Sequence, residues 1–289
     1  MEITPVNQCP IPEGILVAIG GHENKGEDPE KLTQKENSIP LEVLHAYVEL
    51  IKKQNPVLEI ITTASGHPKE SFKDYQKVFK GLGVEHINQI HHDRRGVVLG
   101  DKQLIDRVSK ADSIFFTGGD QLKLTSIYGG TKFLYSLKQK YIREQVVIAG
   151  TSAGAMAMST PMIYAGNQEV QNIGGEIRVT TGLEFLKDVC VDTHFTDRNR
   201  FVRMSQVVVE NPTCIGVGIS EDTAIIVRKG REVEIAGSGI VIIIEGFDVT
   251  DSNILDFSDK VPFAAQNLKV HLLTKGGKYE IPQQNPPHI

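Results

Sequence analysis

A serine between small residues is the first place in this chain where chemistry could occur. Residues 150–154 read GTSAG and fit the pattern G-x-S-x-G, in which a tight turn from a strand into a helix presents a serine hydroxyl above a sheet. The helix that follows would direct N–H groups at Ser152, and the N–H of Ala153 could stabilise an oxyanion there. Because small residues also suit a turn that merely packs closely, the pattern indicates a nucleophile only if a base and an acid accompany Ser152.

His194 is the histidine best placed to be that base. It ends an apolar strand pattern at 188–195 and precedes a helical pattern at 196–210, so it would lie at the edge of a sheet. His91 and His92, in contrast, fall in a polar stretch, where exposure to solvent is the simpler interpretation. A lone histidine in the position of His194 could equally be structural.

Glu221 and Asp222 supply the candidate acid that would orient the histidine. They lie between two apolar runs within residues 216–227, and only one of two adjacent side chains in a tight turn can point inward. The order serine, histidine, acid differs from that of α/β-hydrolases, in which the acid precedes the histidine. An α/β-hydrolase would instead use a late pair such as Asp248 and His271, with an oxyanion loop that we do not find in the sequence.

A glycine pair follows the fourth apolar run of the chain. Gly118 and Gly119 would let the backbone approach a ligand closely, and the amide of Gly119 could be a second oxyanion donor. The alternative is a plain turn into a helix, with Asp120 as the N-cap.

Three arginines begin four residues after His194. Arg200 and Arg203 are three residues apart, so they would share one face of a helix. The planar guanidinium group suits bidentate binding of carboxylates. Such a trio is more often a solvated face, but its closeness in sequence to His194 favours substrate binding by Arg198, Arg200 and Arg203.

The elements that must position these residues alternate between strand and helix in the first half of the chain. Strands are predicted at 14–21, 57–65, 84–90, 113–119 and 145–152, and helices at 38–54, 68–83, 101–111 and 132–144. Strands separated by such helices form a mostly parallel sheet, whose sites collect at the carboxyl ends of the strands.

The second half of the chain changes character. Short apolar runs separated by tight glycine turns predict antiparallel hairpins there; these runs are at 214–219, 224–230, 232–237 and 239–246. We therefore expect one α/β domain over residues 1–289, with a mostly parallel central sheet flanked by helices and an antiparallel β extension in its C-terminal half.

Composition sets limits on the class of protein. The 289 residues are 40% hydrophobic and 23% charged, as in globular proteins, and a formal net charge of −5 gives no indication of a nucleic-acid-binding surface. We expect neither a signal peptide nor a membrane span. Cys9, Cys190 and Cys214 show no metal-ligand spacing and indicate free thiols in a reducing compartment, so we expect a cytoplasmic protein.

Four of these stretches together resemble the S51 serine peptidase family, which holds cyanophycinases and aspartyl dipeptidases. The sequences GGDQ (118–121), GTSAGA (150–155), DTHF with its arginines (192–203) and EDTA (221–224) occur in the order of the family and with similar spacing. The resemblance covers most of the chain and implies a fold like that of class I glutamine amidotransferases and flavodoxins.

What the resemblance implies is a serine exopeptidase without a metal or an organic cofactor, assembled as a homodimer. Ser152 matches the nucleophile, His194 the base and Glu221 the acid, and an acyl-enzyme would form over the amides of Gly119 and Ala153. The implied substrate pocket comprises Gln121, Asp192, Thr193, Arg198, Arg200 and Arg203.

The implied substrate is cyanophycin, a poly-aspartate backbone with arginine on each β-carboxyl, cut to β-Asp-Arg dipeptides. Its carboxylates would be bound by the three arginines, and its guanidinium groups by Asp192. The chain departs from the family pattern Asp-Gln-His, since Thr193 stands between Asp192 and His194. Because of this departure, a second hypothesis stays open, namely a hydrolase of the same family that cleaves small α- or β-aspartyl peptides. An alternative of another class is an inactive protein that binds acidic peptides.

Overall fold

The computed structural model describes residues 10–26, 38–166, 173–255 and 261–282. In these ranges the strands, in chain order, are β1 Ile15–Ile19, β2 Val57–Ile61, β3 His86–Ile90, β4 Ser113–Phe116, β5 Val147–Thr151, β6 Ser159–Thr160, β7 Met162–Ala165, β8 Arg178–Thr180, β9 Leu186–Lys187, β10 Val189–Thr193, β11 Ile215–Ile219, β12 Thr223–Arg228, β13 Glu232–Gly237, β14 Val241–Glu245, β15 Asp251–Ser252, β16 Ala265–Gln266, β17 Lys269–Leu273 and β18 Lys278–Glu280. The helices are α1 Glu42–Glu49, α2 Pro68–Gly81, α3 Arg95–Gly100, α4 Gln103–Lys110, α5 Gln121–Tyr128, α6 Lys132–Arg143, α7 Ala153–Ala157 and α8 Phe201–Glu210.

The larger sheet has eight strands in the order β18-β13-β12-β1-β5-β4-β2-β3. The five strands from β1 to β3 in this order pair in parallel, and β12, β13 and β18 extend the sheet in antiparallel fashion. The α/β fold, with a mostly parallel sheet and an antiparallel C-terminal extension, is therefore confirmed.

Side chains of the central strands alternate between two apolar clusters. Leu16 and Ala18 of β1 pack with residues of α4 and α6, whereas Val17 and Ile19 pack with residues of α1 and α2 on the other face. Because both faces of the strand are covered, its sequence is a continuous apolar run rather than an alternating one.

A second sheet was not expected from the sequence. It has six strands in the order β17-β14-β11-β10-β6-β9, and its apolar side chains join the same cluster as one face of the larger sheet. The expected hairpin between the runs at 214–219 and 224–230 is wrong, because β11 pairs with β10 and β14 while β12 crosses to the larger sheet and pairs with β1.

The helix expected at 196–210 starts later than its pattern suggested. It begins at Phe201, because the preceding residues form turns and Asn199 has a φ of 51°, in the left-handed region that interrupts a helix. Arg198 and Arg200 therefore lie ahead of α8, and of the three arginines Arg203 is the one inside it.

Two of the three cysteines lie within the described residues. Cys190 and Cys214 are buried and unpaired, and burial raises the pKa of both thiols, that of Cys214 to about 12. Cys9 lies outside the described residues. Within the described ranges, no helix has both the length and the apolar character needed to cross a membrane.

The carboxyl ends of strands from both sheets meet at one place. The N–H of Ser152, after β5, donates to the carbonyl of Ile19 at 3.0 Å, and the N–H of His194, after β10, donates to that of Gly20 at 2.9 Å. The N–H of Asp222, before β12, donates to the carbonyl of Gly21 at 3.0 Å. The chain leaving β1 thus ties together the segments that carry the candidate triad.

Candidate active site

Ser152 occupies a strained turn between β5 and α7. Its φ of 50° and ψ of −115° lie outside the usual regions for a residue with a side chain, a conformation that costs on the order of 1–3 kcal/mol. Backbone hydrogen bonds hold it there, since its N–H donates to Ile19 and its carbonyl accepts from the N–H of Met156 at 3.0 Å. The turn exposes the serine hydroxyl to the cavity beside it.

The small residues around Ser152 are required by contact distances. A Cβ on Gly150 would lie 2.5 Å from the backbone carbon of Gly154, and a Cβ on Gly154 would lie 2.4 Å from the carbonyl oxygen of Phe116. Both contacts would be with backbone atoms, which can shift only if the main chain itself moves. Because α7 has five residues, its dipole is small, and anion binding here would depend on the nearest N–H groups rather than on the whole helix.

Three predicted residues form a hydrogen-bonded triad. Ser152 Oγ lies 2.9 Å from His194 Nε2, and His194 Nδ1 lies 2.7 Å from Glu221 Oε1. The carboxylate accepts the Nδ1–H, which leaves the Nε2 lone pair to accept the serine hydroxyl proton. The side chains of His194 and Glu221 are 5% and 15% exposed, so this chain of hydrogen bonds is largely shielded from water.

Burial lowers the pKa of His194 below its ordinary value. The hydrogen bond to Glu221 opposes this shift, because it favours the charged imidazolium, while the charges of Arg198 and His22 add to it. The imidazole is therefore neutral at neutral pH, which is the state a general base must have.

The two adjacent acids have separate roles. Glu221 contacts His194, whereas Asp222 is buried and accepts hydrogen bonds from the backbone N–H of Asn24 at 2.9 Å and from the hydroxyls of Ser38 at 2.6 Å and Ser238 at 2.7 Å. Asp222 thus anchors the chain that follows β1. The residue pattern left open which acid faces the histidine, and the family resemblance implied Glu221, the acid that contacts it here.

The predicted oxyanion donors flank the serine. A Cβ on Gly118 would lie 3.4 Å from Ser152 Cβ, and Gly119 lines the same cavity with Ala153. Gly119 has a φ of 137°, and a Cβ there would lie 2.0 Å from the carbonyl oxygen of Ala64, so glycine is required at this position. The backbone of Gly118 therefore lies against Ser152, and the N–H groups of Gly119 and Ala153 remain the predicted oxyanion donors.

The predicted pocket acid has a different role from the expected one. Asp192 is fully buried and accepts hydrogen bonds from Arg200 at 2.8 Å and from Arg203 at 2.6 and 2.7 Å. Arg200 also donates to the carbonyl of Thr193 at 2.7 Å, and Arg203 to that of Gly166 at 2.8 Å. Asp192 is therefore not placed to bind a substrate guanidinium, and instead it fixes two arginines in the cavity wall.

The remaining predicted residues line a cavity of about 550 Å³ beside Ser152. Gln121 donates to the carbonyl of Ile163 at 2.9 Å, and Arg198 lies in the turn after His194. Thr193 is buried in the wall, and among the described residues its hydroxyl has no hydrogen-bond partner. Of the predicted pocket residues, Gln121, Thr193, Arg198, Arg200 and Arg203 thus line the cavity beside Ser152, and Asp192 lies behind its wall.

Sequence reasoning missed three side chains at this site. His22 Nδ1 lies 2.8 Å from Glu221 Oε1. Glu176, ahead of β8, and Arg178, the first residue of β8, line the cavity. The glycines that end β1 could have drawn attention to His22, since they place it at a carboxyl edge. Glu176 and Arg178 belong to no pattern that would have singled them out.

The late histidine of the α/β-hydrolase alternative lies elsewhere. His271 is on β17, and its Nε2 is 2.7 Å from Glu245 Oε1. Ser152 is hydrogen-bonded to His194 instead, so the structure contradicts a triad that uses His271.

The chain is similar in sequence to known peptidases. The family model described as Peptidase family S51 matches residues 33–235. A cyanophycinase from Geminocystis herdmanii is 30% identical over 272 residues, which cover 94% of this chain and 95% of that protein. A cyanophycinase from Synechococcus elongatus is 28% identical over 282 residues, covering 96% of this chain and 82% of that protein.

A solved structure supports the fold. The crystal structure of a peptidase from an acI-B1 Actinobacterium superposes with a TM-score of 0.60 at 19% identity, covering 93% of this chain and 97% of that one. At this level of identity the likeness concerns the fold alone.

Proposed function

This chain belongs to peptidase family S51, and from that premise we propose that it is a serine exopeptidase that degrades cyanophycin to β-Asp-Arg dipeptides. Membership of the family makes it a serine-type peptidase. The observation that carries the finer proposal is the continuous hydrogen-bond chain from Ser152 through His194 to Glu221, in a cavity lined by arginines.

Acylation starts with attack of Ser152 Oγ on the scissile carbonyl carbon. His194 Nε2 takes the hydroxyl proton, and Glu221 stabilises the resulting imidazolium through Nδ1–H. The negative charge on the carbonyl oxygen is stabilised by the N–H groups of Gly119 and Ala153. When the tetrahedral intermediate collapses, the C–N bond breaks and His194 gives its proton to the leaving amine.

Deacylation repeats these steps with water. His194, again neutral, removes a proton from a water molecule that attacks the ester carbonyl of the acyl-enzyme. The C–O bond to Ser152 then breaks, and the serine oxygen recovers a proton from His194. Each half of the reaction uses the same base and the same oxyanion donors, and no further group is required.

The charges of the cavity support a substrate that carries both carboxylates and guanidinium groups. Arg200 and Arg203 are held by Asp192, whereas Arg178 and Arg198 extend the cationic lining. Among the described residues that line the cavity, Glu176 is the acidic one. We assign the arginines to substrate carboxylates and Glu176, in place of Asp192, to the substrate guanidinium.

A second candidate function is hydrolysis of small α- or β-aspartyl peptides. It is favoured by Thr193, whose unpartnered hydroxyl stands where the family pattern has glutamine, so one long side chain is missing from the wall. The triad favours either hydrolase over a protein that only binds acidic peptides, because binding alone does not need a hydrogen-bonded serine and histidine.

Product analysis separates these functions. The purified protein is incubated with cyanophycin granules and, in parallel, with β-aspartyl and α-aspartyl dipeptides, and the products are identified by liquid chromatography and mass spectrometry. Release of β-Asp-Arg from the granules supports the proposal. Turnover of the dipeptides with intact granules supports the second function, and no turnover of any substrate contradicts both.

We further propose that the protein acts in the cytoplasm as a homodimer, as the family resemblance implies. The buried thiols of Cys190 and Cys214 suit a reducing compartment. Sedimentation equilibrium of the full chain tests the assembly, since a homodimer has twice the 31.8 kDa mass of one chain.

A further inference from the structure

Two histidines converge on one oxygen of the triad carboxylate. His22 Nδ1 lies 2.8 Å and His194 Nδ1 lies 2.7 Å from Glu221 Oε1. One ligand atom from each of the three residues lies within 4.8 Å of the others, and the two imidazole rings stand nearly perpendicular, with centroids 4.8 Å apart. A catalytic triad requires one of these histidines, and the second has no part in the proposed reaction.

We propose that His22, His194 and Glu221 form a binding site for Zn²⁺, and that zinc bound there inhibits the enzyme. Some zinc sites have three protein ligands and an open fourth position, and two imidazoles with one carboxylate are a ligand set of that kind. Mg²⁺ and Ca²⁺ prefer oxygen ligands, so the site selects against them. The inhibition rests on the proposed function, whereas the binding itself does not.

The distances allow coordination after a small rearrangement. Zinc binds such ligands at about 2.0–2.2 Å, which places neighbouring ligands of a tetrahedron about 3.3 Å apart. The two contacts with Glu221 must therefore open by about half an ångström, and the two imidazole nitrogens must approach each other. The His22 side chain is 72% exposed, so it can supply most of this movement.

Inhibition follows from the chemistry of imidazole. A neutral imidazole carries one N–H and one lone pair, on different nitrogens. If zinc takes the lone pair at His194 Nδ1, the proton moves to Nε2, and the hydrogen bond from Nδ1–H to Glu221 is replaced by two metal–ligand bonds. Nε2–H cannot accept the proton of Ser152, so the bound metal holds the base in its inactive tautomer.

The exposure of His22 makes this a regulatory rather than a permanent site. Glu221 provides one negative charge to the metal, and the His22 side chain, which is 72% exposed, must move to complete the ligand set. We therefore expect zinc to bind reversibly, more weakly than at a structural zinc site, and to be removed by a chelator.

The test measures zinc binding and zinc inhibition on the full-length, tag-free chain. Zinc chloride is titrated calorimetrically into the wild type, His22→Ala and His86→Ala, the last being an exposed histidine at the amino end of β3 and so a matched control. The labelling of Ser152 by a serine-directed phosphonate is followed with and without zinc, since this readout needs no known substrate.

We expect one zinc per chain in the wild type and in His86→Ala. Zinc should slow the labelling of Ser152 in both proteins, and EDTA should restore the rate measured without zinc. In His22→Ala the affinity for zinc should fall by about 100-fold or more, beyond the loss seen for outer-shell changes, and zinc at the concentration that inhibits the wild type should no longer slow labelling relative to the same variant without zinc. Magnesium should have no effect on labelling in any variant.

Three outcomes overturn the inference. The first is that zinc does not bind the wild type, and the second is that His22→Ala binds zinc as tightly as the wild type. The third is that zinc leaves the labelling rate of the wild type unchanged or raises it. If Ser152 is never labelled in metal-free protein, the proposed function fails, and the calorimetric comparison alone then decides the zinc site.

Discussion

The sequence motifs supply three acidic side chains, Asp192, Glu221 and Asp222, and at the scale of single residues the partner of each decides its role. Glu221 accepts from His194, Asp222 holds the chain after β1, and Asp192 holds Arg200 and Arg203. All three are Asp or Glu within segments of the same motifs, so their chemistry differs through contacts and not through residue type. The predictions for two of them differ accordingly.

Replacing Glu221 with glutamine should impair catalysis and shift its pH dependence. The amide does not hold the imidazole in its active tautomer, so kcat should fall by about 10³- to 10⁴-fold. Because the carboxylate raises the pKa of His194, its loss lowers that pKa further, and the acid limb of kcat/KM should move to lower pH. The profile is measured in chelator-treated buffer, with exposed Glu85→Gln as the control.

An unchanged kcat in Glu221→Gln, or an acid limb displaced to higher pH, would contradict the assignment of Glu221 as the residue that orients the base.

Replacing Asp192 with asparagine should act on stability first. The change leaves the buried guanidinium groups of Arg200 and Arg203 without their counter-charge, which costs about 3–5 kcal/mol of the free energy of unfolding. Asp106→Asn is the matched control, because its ion pair with Lys110 is exposed and contributes about 0–1 kcal/mol. Urea denaturation measures both. An Asp192→Asn variant as stable as the control would return Asp192 to the role of a substrate ligand.

At the scale of elements, the turn between β5 and α7 is fixed by its glycines. Gly150 and Gly154 touch backbone atoms at distances that leave no room for a Cβ, so α7 packs against β4 and β5 without intervening side chains. The packing and the presentation of Ser152 are therefore one property of the sequence. This is why a pattern of small residues was informative and also why it could not distinguish packing from catalysis.

Gly154→Ala should lose both stability and activity. The new methyl group would lie 2.4 Å from the Phe116 carbonyl oxygen, which forces a shift that costs about 1–3 kcal/mol. A displacement of Ser152 by about 1 Å would lower kcat/KM by about 100-fold. Gly81→Ala, at the end of α2 with no atom within 4 Å of its Cβ, should stabilise the protein by up to about 1 kcal/mol. Thermal unfolding and peptidase assays of both variants test this prediction. A Gly154→Ala variant that is more stable and more active than Gly81→Ala would contradict this account of the turn.

At the scale of the whole molecule, the triad depends on two sheets that meet at their carboxyl edges. Ser152 follows a strand of the larger sheet, whereas His194 and Glu221 follow β10 and β11 of the second sheet. The first five strands were predictable, because runs of apolar residues alternate with helical patterns. The position of each candidate after such a run singled out Ser152, His194 and the pair Glu221 and Asp222, and the family resemblance then implied the complete triad.

The rest of the site could not be predicted, for a physical reason. Periodicity identifies a strand and its faces but not its neighbour, so the transfer of the chain from β11 to the larger sheet was missed. The approach of the two sheets also brings His22 to Glu221, which is far from it in sequence. The turn after β10 brings Arg200 and Arg203 back to Asp192. Side-chain partners across two sheets follow from tertiary packing, which spacing along the chain does not encode.

The central claim, that Ser152 is the nucleophile of a serine exopeptidase, is tested most directly by the rate of β-Asp-Arg release from cyanophycin by the wild type and by Ser152→Ala. The account predicts release by the wild type and a rate at least about 10⁴-fold lower in Ser152→Ala, with an unchanged unfolding temperature. Release by the folded Ser152→Ala variant at a rate near that of the wild type would contradict it.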